Sequence, residues 1–169
     1  MRLTLPLLVS LGCSCGLAAR VGAGVIGNNT ATVAPEVAPT IGLVLGDREF
    51  NIVSGISGAF GVTTKAVPVG RATWVEEGTY TFKESPWGVR AGLGVGPNFD
   101  GARGVGWLVF ARGGPTYMIS AKDSGDLLTQ LGLDLTIGIT GFPTAQLFWG
   151  VTFDISWLLR VFDRFPMGS

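Results

Sequence analysis

Residues 131–157 read LGLDLTIGITGFPTAQLFWGVTFDISW, and the nineteen positions between Asp134 and Asp154 carry no charge. That length is enough to cross a bilayer as a helix. The period says otherwise. Leu131, Leu133, Leu135, Ile137 and Ile139 alternate with Gly132, Asp134, Thr136 and Gly138. After Gly141-Phe142-Pro143 the alternation resumes with Ala145, Leu147, Trp149, Val151, Phe153, Ile155 and Trp157 on one parity. A period of two sends successive side chains to opposite faces, which is the signature of strands. Pro143 would break a helix. The stretch is a β-hairpin.

The same grammar runs upstream through Phe50–Val62, Trp87–Gly96 and Gly104–Arg112, with weaker candidates at Thr40–Gly46, Ala66–Val75, Thr79–Glu84 and Pro115–Ala121. Charges gather at Asp47-Arg48-Glu49, Glu76-Glu77, Asp100–Arg103 and Lys122–Asp126, which read as turns and loops. The count is eight or nine strands, depending on whether Gly113-Gly114 is a bulge or a turn. Closed bacterial membrane barrels favour an even number, so the expectation is eight, with one long bulged strand from Gly104 to Ala121.

Composition narrows the class. Of 169 residues, 47% are hydrophobic and 14% charged, with 27 Gly; soluble domains carry about a quarter charged residues. Twelve basic residues balance twelve acidic ones, which leaves no electrostatic footprint for nucleic acid. There is no His, which removes the Ser-His-Asp triad, His acid–base chemistry and most zinc sites. No enzyme, metal or cofactor is expected.

The N-terminus, MRLTLPLLVSLGCSCGLAARVGA, has a cation at Arg2, an apolar run and then small residues. That is the layout of a secretory signal peptide over 1–23, with cleavage after Ala23 or Ala19. An uncleaved anchor, or lipidation at Cys13 after Gly12, are the alternatives. Residues 24–39 read as a flexible arm, 40–162 as the barrel and 163–169 as a tail.

The two faces decide which kind of β protein this is. One face is bulky and apolar; the other is Gly, Ser and Thr with isolated charges. A soluble sheet shows water a richly polar face. A membrane barrel turns the bulky face to lipid and small or polar residues to the lumen. The expected fold is therefore all-β, a closed antiparallel up-and-down transmembrane barrel. Parity places Arg90, Arg112, Asp134 and Asp154 in the lumen, where unpaired charge is costly, so an Arg/Asp network is expected to plug it. Trp87, Trp107 and Trp157 fall near strand ends, as an interfacial girdle requires; Trp149 falls mid-strand.

An apparent leader, a short arm, about 120 residues of alternating strands and an aromatic-rich last strand resemble the small outer-membrane barrels of Gram-negative bacteria, the OmpA-like and OmpX-like class. Gly150-Val151-Thr152-Phe153-Asp154-Ile155 is similar to part of that class's terminal assembly signal, with Phe162 as the terminal aromatic. Trp149 departs from the usual polar residue before the glycine, and Gly132–Ile137 fits the same pattern. The resemblance implies outer-membrane location, contact with membrane lipid, recognition of Gly150, Phe153, Ile155 and Phe162 by the assembly machinery, and a structural or interaction role. The enzymatic members of such barrels depend on His, which this chain lacks. Two other readings stand beside it: a secreted soluble barrel binding an apolar small molecule, and a narrow outer-membrane pore.

Overall fold

The computed structural model describes residues 15–28, 33–46, 48–120, 127–141 and 145–160. They form eight strands: β1 Cys15–Asn28, β2 Val33–Gly46, β3 Phe50–Val62, β4 Pro68–Thr81, β5 Trp87–Asp100, β6 Gly104–Ser120, β7 Leu127–Gly141 and β8 Ala145–Arg160. Each pairs antiparallel with its sequence neighbours, and β8 pairs with β1 to close the barrel. Closure leaves no unpaired sheet edge.

One register row shows how the barrel closes. From Ala18 it runs through Gly42, Gly55, Val75, Gly94, Phe110, Gly138 and Phe148, and returns to β1 at Asn28 rather than at Ala18. That stagger is the shear that tilts the strands. The row also shows how the lumen fills. Phe110 lies between Gly94 and Gly138, and a Cβ on either glycine would strike its side chain. Large side chains enter the interior only where adjacent strands leave room.

Several expectations are corrected. The strand count is eight, but not the eight read from the sequence. β1 and the first half of β2 occupy the segments read as leader and arm, and a boundary at Ala23 falls inside a strand paired on both sides. The physical reason is the small lumen face. Leu17, Val21 and Val25 point outward, but Ala18, Gly22 and Gly24 between them make the strand look like one continuous apolar run. Residues 1–14, including Cys13, and residues 161–169, including Phe162, lie outside the described residues.

Conversely, the two candidates Ala66–Val75 and Thr79–Glu84 are a single strand, β4, and Glu76-Glu77 sits within it rather than in a turn. β6 is one strand: its register with β5 runs through Gly113-Gly114 without interruption, and its register with β7 skips Gly114 and Pro115 but resumes in phase at Thr116, so no residue is bulged out. Gly104, at φ 92°, starts β6 immediately after the turn at 101–103, a conformation that favours glycine.

Two ends can be distinguished. The first residue of β1 and the last of β8 share one end, here the terminal end, with the β2–β3, β4–β5 and β6–β7 connections. The other four connections make up the hairpin end.

Candidate functional site

The wall is apolar outside and polar inside. Val105 is 74% exposed, Ile41 71% and Phe60 68%. Inside, Glu77 is 1% exposed, Asp134 1%, Asp154 2% and Arg90 3%. Strand periodicity alone produces this inversion, because every outward residue is followed by an inward one.

Four arginines and four carboxylates pair in the lumen. Arg90 on β5 is the hub. Its Nη2 donates to Asp134 Oδ2 at 2.8 Å and its Nε to Asp134 Oδ1 at 3.3 Å. Its Nη1 donates to Asp154 Oδ1 at 3.3 Å, and Nη2 pairs closely with Asp154 Oδ2. Two bidentate carboxylates on one guanidinium use its planar fork fully. Arg90 reaches Asp154 over Gly132, where a Cβ would lie 3.0 Å from Arg90 Cζ and 3.0 Å from Asp154 Oδ1.

Glu77 is the second hub. It pairs with Arg20 from β1 and with Arg112 from β6. Two longer contacts join the hubs: Arg112 Nε to Asp134 Oδ2 at 3.9 Å and Arg20 Nε to Asp154 Oδ1 at 3.8 Å. Ser156 Oγ accepts from Arg20 Nε at 3.1 Å and donates to Asp154 Oδ1 at 3.1 Å. The third pair is Arg71 with Glu36, each guanidinium nitrogen 2.7 Å from its carboxylate oxygen.

The structure thus brings Arg90, Arg112, Asp134 and Asp154 into one cluster, adds Arg20 and Glu77 to it, and sets Arg71 and Glu36 apart as a pair of their own. Sequence reasoning missed those four because Arg20 fell in the apparent leader, Glu36 in the apparent arm, Arg71 in a weak candidate strand and Glu77 in an apparent turn. The alternation of Leu17, Ala19, Val21, Ala23 and Val25 was the signal that could have found Arg20.

Apolar layers lie on both sides of the charges. Toward the terminal end are Ala18, Val44, Val53, Met118, Leu128 and Leu158. Toward the hairpin end are Val75, Leu108, Phe110 and Phe148, with Ile26 against them. Arg71 lies over the Phe148 ring at 5.2 Å and the Phe110 ring at 5.9 Å, a cation–π arrangement that ties the Glu36 pair to the second layer.

Outside, Trp87, Tyr117 and Trp157 lie toward the terminal end, and Trp107, Phe99 and Trp149 toward the hairpin end. Trp87 and Tyr117 meet edge to face at 5.0 Å. Trp149, which looked misplaced in the sequence, lays its indole against Gly27, one residue from the end of β1. In β8, Gly150 points into the lumen while Phe153 and Ile155 point outward. Among the described residues, no group of three or more His, Cys, Asp or Glu side chains is placed to hold a metal ion.

A closed, eight-stranded antiparallel barrel with this inside-out polarity has the fold of an outer-membrane β-barrel. No family model matches the chain, and no curated protein matches it. Among solved structures, the fold is similar to the crystal structure of Neisserial surface protein A (NspA), with a TM-score of 0.65, 9% identity, and coverage of 88% of this chain and 97% of that one. A de novo designed transmembrane β-barrel also matches, with a TM-score of 0.39, 14% identity, and coverage of 85% and 95%. At these identities the likeness is one of fold.

Proposed function

We infer that this chain is an integral outer-membrane barrel with a structural or interaction role, its lumen closed by the Arg–carboxylate network between two apolar layers. The observation that carries this reading is the outward face. Soluble monomers seldom expose apolar patches beyond several hundred Å², and this barrel is apolar outside along all eight strands. In lipid the same face is at home, and closure of the eight strands leaves no open sheet edge for the bilayer to face. A soluble barrel for an apolar ligand needs the bulky face inside; it points outward, so that reading is withdrawn.

The plug follows from packing. Charges within a narrow tube are stable only when paired, and small barrels fill their interiors with side chains. The described interior offers paired guanidinium and carboxylate groups between apolar layers, which supports closure over a narrow pore. The connections between strands are short, which favours the wall and the envelope as the site of action over large surface loops. The lack of His supports a non-enzymatic role.

Membranes from expressing cells should retain the protein through carbonate extraction, and its SDS-gel mobility should shift on heating. Release into the supernatant overturns the membrane reading. Planar bilayers containing the refolded protein should show no steady conductance; a regular open level overturns the plug.

A further inference from the structure

Glu76 is the single charged residue among the outward-pointing positions of the described strands. It is exposed on the outer wall, with Glu77 beside it turned into the lumen. Ser54 Oγ donates to its Oε1 at 2.6 Å, and Trp74 Nε1 donates to the same oxygen at 2.7 Å. Oε2 accepts no hydrogen bond from the described residues. The carboxylate is therefore oriented and half satisfied, with one oxygen turned to whatever lies against the wall.

Its depth makes this costly. Glu76 lies five residues before Thr81, the last residue of β4. At about 3.3 Å per residue and a tilt of about 40°, that puts it roughly 13 Å from the strand end, inside an apolar band about 25 Å tall. Ionisable groups at such depths pair with something or mark a functional contact. On the outer face Trp74 and Gly78 flank Glu76 on β4, and its register partners are Ser54 on β3 and Leu93 on β5; the wall is low on the Gly78 side, where Ala91 stands opposite. Small residues let a neighbouring backbone approach closely within a membrane.

We propose that the β3–β5 wall around Glu76 is a lateral docking site for a membrane-spanning partner segment that presents one Lys or Arg side chain, the cation seated on Glu76 Oε2 beside the Trp74 indole. Charge selects this occupant. A second copy of the chain presents no cation at any outward position of its described strands, and would set carboxylate against carboxylate. A lipid ammonium resides at the headgroup level, well above Glu76. A Lys or Arg on a spanning segment reaches the site at its own depth, and an ammonium or guanidinium gains from both the carboxylate and the indole face.

This proposal rests on the membrane reading, so retention through carbonate and the heat shift are checked first on wild type, Glu76→Gln and Glu76→Leu. Failure of wild type there overturns the membrane reading, and this site with it, before any partner is added. The full chain is then reconstituted in phosphatidylcholine vesicles with a dansyl-labelled, Leu/Ala-rich transmembrane peptide carrying one central Lys. Association is read by energy transfer from the barrel tryptophans. The Lys peptide should associate with wild type at least about tenfold more strongly than its central-Leu counterpart, and Glu76→Gln and Glu76→Leu should each abolish that preference. Equal association of the two peptides overturns the proposal. So does displacement of the Lys peptide by octadecylamine at equal mole fraction, which would make a lipid amine the occupant. Self-association of wild type that is lost in Glu76→Leu overturns it in favour of a second copy.

Discussion

Glu77 on β4 and Arg112 on β6 form an ion pair across β5, and the residue directly between them in the register is Gly92. A Cβ at Gly92 would lie 2.6 Å from Glu76 O and 3.0 Å from Glu77 Cα. The glycine is the gap through which one strand's charge reaches the strand beyond it. Gly132 does the same for Arg90 and Asp154. The glycine-rich lumen face is thus a set of openings that let long side chains meet two and three strands away.

Gly92→Val should therefore destabilise the barrel by more than an ordinary strand substitution, by about 2–4 kcal/mol, since it overpacks against backbone and displaces Glu77. Valine is otherwise a good strand residue, so propensity predicts the opposite sign. Urea unfolding of the vesicle-reconstituted protein, followed by tryptophan fluorescence, measures the difference. Stability equal to wild type would refute the gap.

Asp134→Asn and Asp154→Asn each remove one of Arg90's two bidentate partners. Each should cost stability, and the double variant should cost more than the sum, because only then is the buried guanidinium left without a carboxylate. Breaking a buried pair typically costs about 3–5 kcal/mol. Adding Arg90→Met to the double variant should recover much of the loss, since the uncompensated charge goes with it. A triple variant no more stable than the double one would show that Arg90 is not the hub.

The layered lumen makes a prediction about leakage. Phe148→Ala opens the hairpin-end layer, but Arg71 remains held by Glu36 and the charged layer lies beneath. Conductance in planar bilayers should stay at the level of wild type. Phe148→Ala, Met118→Ala and Arg112→Ala together thin both apolar layers and the charged one, and should raise ion leakage. Leakage from Phe148→Ala alone would place the whole barrier in that layer.

The hairpin at 131–157 was legible because its lumen face carries Asp134 and Asp154, whose polarity makes the alternation plain. β5 was legible for the same reason through Arg90. β1 was not, because only Arg20 breaks the small, apolar lumen face between Gly16 and Ile26, and the outward face is apolar as well. β4 was split because Glu76 is a charged residue on the outer face. Period reading assumes that charge marks a turn or the lumen, and Glu76 is neither. The ion pairs were legible only as parity. Which arginine meets which carboxylate depends on the stagger between strands, and that is fixed by closure of the whole barrel rather than by any one segment.

The sharpest consequence of the structure concerns the boundary at Ala23. β1 supplies the partner strand for both β2 and β8, in a register running from Cys15 to Asn28, and Arg20 supplies one of the two cations on Glu77. A chain starting at Gly24 keeps only the hairpin-end remnant of β1. It should therefore leave β2 and β8 with exposed edges in lipid, where unpaired backbone groups are intolerable. A chain starting at Cys15 keeps every described pairing. Refolded side by side into detergent micelles, the Cys15 version should show the heat-dependent gel shift and the Gly24 version should aggregate or run unfolded. Arg20→Met in the full-length chain separates the two contributions of β1: it keeps the strand and removes the charge, so it should fold with a lower unfolding midpoint. If the Gly24 version folds with the same heat shift as the Cys15 version, β1 is dispensable and the closure described here is wrong.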